Sequence, residues 1–157
     1  MVFDFNTIYN SGSGEQLPLD EVINKIKKYI SEHTDVVLSV GTDSMTRNDT
    51  VFVLAIVLYT KGKGGIYFYK KFHHERINSL YQKLYDETQL SLDVIEFLAT
   101  RLDEFDIDLS IHLDIGEKGA SKALIRELEG WVENMGYEYE IKPNSYAAST
   151  IANIYSK

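Results

Sequence analysis

Three carboxylates stand where the surrounding pattern has little use for an acid. Asp43 follows Val37, Ser39 and Gly41 at intervals of two, and Asp114 follows Ser110 and His112 in the same way. Each would therefore extend the small or polar side of a strand whose other side is apolar. Glu87 falls close to the line through Leu80, Leu84 and Leu98 of a helical stripe, roughly 60° from its centre at 100° per residue, with the small Thr88 and Ser91 beside it. Singly, each acid has a plainer reading, since aspartates serve in turns and caps and a glutamate at the edge of a stripe can reach solvent. Two aspartates in matching positions at strand carboxyl ends, where α/β sheets hold ligands, argue for a site. Three acids meeting there would repel by about 4 kcal/mol per pair at 4 Å and an effective dielectric near 20. Raised pKa values or a bound cation would relieve this, and an all-oxygen donor set suits Mg²⁺ or Mn²⁺.

Other chemistry-bearing residues are weaker signals. Adjacent histidines in a strand point to opposite faces, so His73-His74-Glu75 reads as a solvated strand-to-helix junction rather than a metal site. His112 shares a face with Asp114, where sheet packing and a substrate contact are both open. Lys61-Gly62-Lys63-Gly64-Gly65 lacks the Gly-Lys-Ser/Thr ending of a phosphate loop. Ser44 and Ser149 have no histidine at a recognisable spacing, which leaves a serine hydrolase without support. Lys142, beside the last helix, is either a surface lysine or a group that approaches a phosphate.

The elements that would position these residues follow from periodicity. Residues 1–16, with Ser11-Gly12-Ser13-Gly14, read as a loop or arm, and the domain is expected over residues 18–157 behind an arm of 1–17. Val22, Ile23, Ile26, Tyr29 and Ile30 predict an amphipathic helix over about 19–32, with Pro18 just ahead of it. Val36 to Val40 predicts a first strand that gives way to a turn at Gly41-Thr42-Asp43-Ser44. Val51 to Thr60 and Gly65 to Phe72 predict a long hairpin. A helical pattern covers about Glu75 to Glu104, and Leu109, Ile111, Leu113 and Ile115 alternate as a strand. A helix through Leu124, Leu128 and Trp131 should end at a left-handed Gly136. Tyr137 to Ile141 is a short strand, and Ala147, Ala148, Ile151 and Ile154 predict a last helix.

Composition narrows the class. A chain of 157 residues, 44% hydrophobic and 25% charged, has the makings of one globular domain. The longest apolar run, Val51 to Tyr59, is far short of the roughly 20 residues a membrane helix needs. The first residues lack the basic start of a secretory signal, and the absence of cysteine removes disulfides, thiolate metal sites and a cysteine nucleophile. A cytoplasmic location is expected. The net charge of -8 argues against coating nucleic acid by bulk electrostatics, but bound cations would reverse the field at an acidic site.

Val40-Gly41-Thr42-Asp43-Ser44, Glu87-Thr88, His112-Leu113-Asp114-Ile115-Gly116, Gly130-Trp131 and Lys142-Pro143-Asn144-Ser145-Tyr146-Ala147-Ala148-Ser149 together resemble the YkuK-type family of ribonuclease H-like proteins. The resemblance implies an α/β fold with a mixed five-stranded sheet in order 3-2-1-4-5, strand 2 antiparallel, flanked by helices, here with an extra N-terminal helix. It also implies a two-metal nuclease acting on RNA, DNA or a hybrid. Its acids would come from the first strand, the first long helix, the fourth strand and the last helix. Asp43, Glu87 and Asp114 match the first three as catalytic and metal-binding residues. Where the family carries aspartates near the last helix, this chain has Asn144 and Asn153, amides that can ligate a metal but bring no charge. Asn144 is the candidate fourth ligand, and Ser44, His112, Lys142 and Ser145 are candidate substrate contacts. The alternative is a catalytically weakened module that binds nucleic acid or a protein partner.

Overall fold

The structure, a computed structural model, describes residues 3–60, 64–115 and 120–141. Its elements are β1 (Ile8–Ser11), β2 (Gln16–Pro18), α1 (Leu19–Glu32), β3 (Val36–Thr46), β4 (Thr50–Thr60), β5 (Gly65–His74), α2 (Leu80–Arg101), β6 (Asp108–His112), α3 (Lys122–Asn134) and β7 (Glu138–Glu140). The last helix expected around 147–154, together with Lys142, Asn144, Ser145 and Asn153, lies outside the described residues.

The strands form one mixed sheet in the order β2-β1-β5-β4-β3-β6-β7, seven strands among the described residues rather than five. β3, β4 and β5 are antiparallel along nearly their whole lengths, whereas β6 joins β3 and β7 joins β6 in parallel. The two additional strands come from the segment expected as a loop. Tyr9 pairs with Leu17 in the β1–β2 hairpin, and Asn10 and Ser11 pair with Tyr69 and Phe68 of β5. Tyr9 is fully buried, and Phe3 and Phe5 pack on Phe52 and Phe97. The glycines there serve close packing as well as turning: a β-carbon on Gly12 would come within 2.6 Å of the Tyr67 ring.

Pairing also overrides local propensity at the centre of the sheet. β3 does not turn at Gly41 but continues to Thr46, because β4 supplies a partner for every residue, including Val53 for Asp43. β6 in turn stops at His112, short of the expected Ile115. α2 starts at Leu80, later than Glu75, where Ser79 accepts a hydrogen bond from the Gln82 amide as its N-cap. Gly136 takes the left-handed conformation expected after α3, with φ 90°.

The main core fills one face of the sheet. Leu38, Val40, Phe52, Leu54, Ile56, Leu58 and Phe68 alternate inward to meet Val22, Ile26 and Ile30 of α1 and Leu90, Ile95 and Leu98 of α2. Each such side chain contributes about 1.5–3 kcal/mol on burial, which holds α2 firmly against β3. On the opposite face Ala55 and Val57 are buried among Tyr59 and Tyr67. Among the described residues no helix is long and apolar enough to cross a membrane.

Candidate metal centre

The site forms where the β3–β6 ladder runs out. The last parallel rung pairs Gly41 with His112, and Asp43 and Asp114 each lie two residues further on. Past that rung the two strands no longer bond to each other, and side chains from both sides of the sheet can enter the gap. Thr42 and Ser44 point toward α2: the Thr42 and Ser91 hydroxyls are 2.8 Å apart, and Ser44 Oγ donates to Glu87 Oε2 at 2.5 Å. Alternation gives Asp43 to the other side, yet its carboxylate folds back, with Oδ1 accepting from the Ser44 amide at 2.8 Å.

Asp43, Glu87 and Asp114 thereby each bring one carboxylate oxygen to within 4.8 Å of the others. Glu87 is buried, and its Oε1 has no hydrogen-bond partner. Burial, then the charges of Asp43 and Asp114, raise its pKa well above the ordinary value, while the Ser44 hydroxyl and Lys83 oppose the shift. A void of about 10 Å³ between α2 and the β6 end, edged by Thr42, Glu87, Ser91 and Asp114, has room for at most a water-sized occupant. An orphaned buried oxygen, three mutually repelling acids and an all-oxygen donor set fit a hard divalent cation.

Of the residues singled out as substrate contacts, Ser44 has its hydroxyl committed to Glu87. His112 is buried in the sheet opposite Gly41. His73 is exposed at the end of β5, 3.5 Å from Asp49, as a solvated junction should be. Sequence reasoning did not find the Thr42–Ser91 hydroxyl pair or the buried Asp86, whose Oδ1 accepts from Gln82 at 2.9 Å. The small polar residues on otherwise apolar faces were the available signal.

A family model described as Ribonuclease H-like matches residues 21–157. The chain is 35% identical to "Uncharacterized protein YkuK" of Bacillus subtilis (strain 168), over 92% of this chain and 94% of that protein. No solved structure matches significantly. The chain belongs to the ribonuclease H-like family, in its YkuK-type branch.

Proposed function

We propose that this chain is a divalent-metal-dependent nuclease of the cytoplasm that hydrolyses phosphodiester bonds in nucleic acid. The observation that carries the reading is the convergence of the Asp43, Glu87 and Asp114 oxygens within 4.8 Å, one of them a buried glutamate with an orphaned oxygen. These three side chains would hold Mg²⁺ or Mn²⁺, with Asn144 as a neutral fourth ligand. The bound cation would supply Lewis acidity and lower the pKa of water it carries. The chain's own part is to fix the ligands. Ser44 anchors one Glu87 oxygen through its hydroxyl and one Asp43 oxygen through its amide, while Glu87 Oε1 has no hydrogen-bond partner. Burial of Glu87 between α2 and the ends of β3 and β6 limits the water that would otherwise weaken the field of the site.

The amides at 144 and 153 favour a second reading, a binding module with a weakened metal site. Cleavage assays separate the two. Metal-stripped protein given Mn²⁺ or Mg²⁺ should cut labelled RNA, DNA or a hybrid, and Asp43→Asn and Asp114→Asn should each abolish cutting. Asn144→Asp or Asn153→Asp should increase it by restoring charge. Cleavage indifferent to Asp43→Asn would overturn the nuclease reading. Nucleic-acid binding without cleavage in every variant would favour the module.

A further inference from the structure

The end of α2 that carries Glu87 also carries an exposed stack of aromatic rings. Tyr81 and Tyr85 are 46% and 39% exposed. Their rings lie within 18° of parallel at 6.4 Å between centroids, and Tyr85 continues the stack onto Trp131 of α3 at 4.8 Å and 25°. The Tyr81 hydroxyl donates to Glu127 Oε1 at 2.9 Å, which holds the ring by its edge and leaves its faces uninvolved in the bond. Tyr81 precedes Glu87 by six residues, about 9 Å along the helix axis at 1.5 Å per residue. At about 100° per residue Tyr81 and Tyr85 lie roughly 120° and 160° around the helix from Glu87. The rings thus flank the site, and a strand stacked on them would pass over the edge of α2 to meet the carboxylates.

An independent observation comes from the charges at the same end of the sheet. The chain as a whole carries -8, yet Arg47, in the β3–β4 turn, and Arg76, just ahead of α2, are both exposed there. Arg76 Nη1 donates to the Arg47 carbonyl, and its Nε donates to Asn78 Oδ1 at 2.8 Å. Both acceptors are neutral, and among the described residues neither guanidinium is ion-paired with a carboxylate. Arg76 is thus held in place by neutral acceptors with no carboxylate in direct contact among the described residues, which leaves its guanidinium able to take a phosphate. Arg47 lies four residues past Asp43, about 13 Å at the rise of a strand.

We propose that the substrate of this centre is a single-stranded nucleic acid, its bases stacking on the Tyr81–Tyr85 rings and its phosphates drawn to Arg47 and Arg76. This rests on the nuclease reading above and adds strandedness to it. A duplex keeps its base faces inside its own stack and gains nothing from a parallel pair of rings. A single strand offers a π-face at every base, and stacking on aromatic side chains tolerates any sequence. Glu127 beside the Tyr81 hydroxyl disfavours a phosphate at that edge and leaves the ring to a base.

The test is binding of fluorescent single-stranded RNA and DNA, and of duplexes of the same sequences, to the full chain in Ca²⁺. Trp131, the one tryptophan of the chain, supplies a second signal through its contact with Tyr85. Single strands should bind at least about tenfold tighter than duplexes, and Tyr81→Ala should weaken them about five- to tenfold, the loss of one stacked base. Tyr81→Phe should bind like the wild type, and Arg76→Gln should reduce the salt dependence of binding. Equal affinity for duplex, or an unchanged affinity in a folded Tyr81→Ala, would overturn the proposal. So would a dimer that Tyr81→Ala dissolves without any effect on oligonucleotide binding, which would give the rings to a second copy. Cleavage that needs Asp43 but ignores Tyr81→Ala would leave the nuclease reading standing and remove this one. Tyr81-dependent single-strand binding without cleavage would do the reverse.

Discussion

Gly41 and His112 face each other on the last rung of the β3–β6 ladder, and each stands two residues before an aspartate of the cluster. Parallel strands hold a common register, so positions equally far past a rung emerge side by side, about 4.8 Å apart. That register brings Asp43 and Asp114 together. Glu87 reaches the same gap from α2, and Ser44 ties it there.

That tie yields the first prediction. Ser44→Ala removes the hydroxyl that holds Glu87 Oε2 and that opposes the rise in its pKa. Partners that orient a metal ligand typically cost 10–100-fold in affinity when lost, so Mn²⁺ binding measured by calorimetry at neutral pH should weaken about tenfold. Ser44→Thr, which keeps the hydroxyl, should lose much less. Equal Mn²⁺ affinity in Ser44→Ala and wild type would show that the bond does not position the acid.

The N-terminal hairpin should matter to stability. Tyr9 is fully buried, and its hydroxyl donates to the Phe5 carbonyl at 2.7 Å. Truncating a buried aromatic to alanine costs about 3–5 kcal/mol. At roughly 2–4 °C per kcal/mol for a chain of this size, Tyr9→Ala should lower the Tm by about 10 °C. Tyr9→Phe, losing only a hydrogen bond worth about 1 kcal/mol, should lower it by a few degrees. A midpoint unmoved by Tyr9→Ala would mean that the segment contributes nothing to the core.

How far the sequence carries depends on the length of each pattern. The α1 stripe spans four turns, and Val22, Ile23, Ile26, Tyr29 and Ile30 are buried as their spacing predicts. Asp43 and Asp114 were legible because period two along their strands set them in matching positions. β1 and β2 have four and three residues, too few for alternation to register. The continuation of β3 through Gly41-Thr42-Asp43-Ser44 was hidden for another reason: those residues favour turns, and only the partner strand β4 decides otherwise. The Ser44–Glu87 bond joins residues 43 apart in sequence and is a product of tertiary packing alone.

Metal should stabilise the fold whether or not the protein is an enzyme. A cation that binds the assembled carboxylates far better than the unfolded chain adds about 2.7 kcal/mol at 100 times its dissociation constant. Saturating Mn²⁺ should then raise the Tm of stripped protein by about 5–10 °C. Asp43→Asn removes one source of repulsion, so it should raise the metal-free midpoint while shrinking the metal-induced increment. Identical melting with Mn²⁺ and with chelator would count against an ion at these acids.

The same cluster fixes the sign of a pH effect. Glu87 is buried beside two other carboxylates, which holds its folded-state pKa well above the ordinary 4.5. Between those two values the folded chain binds more protons than the unfolded one, so stability falls as pH rises through that window. The contribution is fully present below the unfolded value and is lost once pH passes the folded one. Other carboxylates titrate nearby, so the informative quantity is the difference in Tm between the wild type and Glu87→Gln, both stripped of metal. The glutamine mimics the protonated acid at every pH. The wild type should therefore approach the variant in acid and fall progressively below it as pH rises above the ordinary 4.5 toward the raised folded-state value. Mn²⁺ competes with the proton for the same oxygens, and its stabilising increment in the wild type should grow over that range. A wild-type deficit that stays constant with pH, with an Mn²⁺ increment equally constant, would show that Glu87 is ionised throughout and that its burial does not couple it to Asp43 and Asp114.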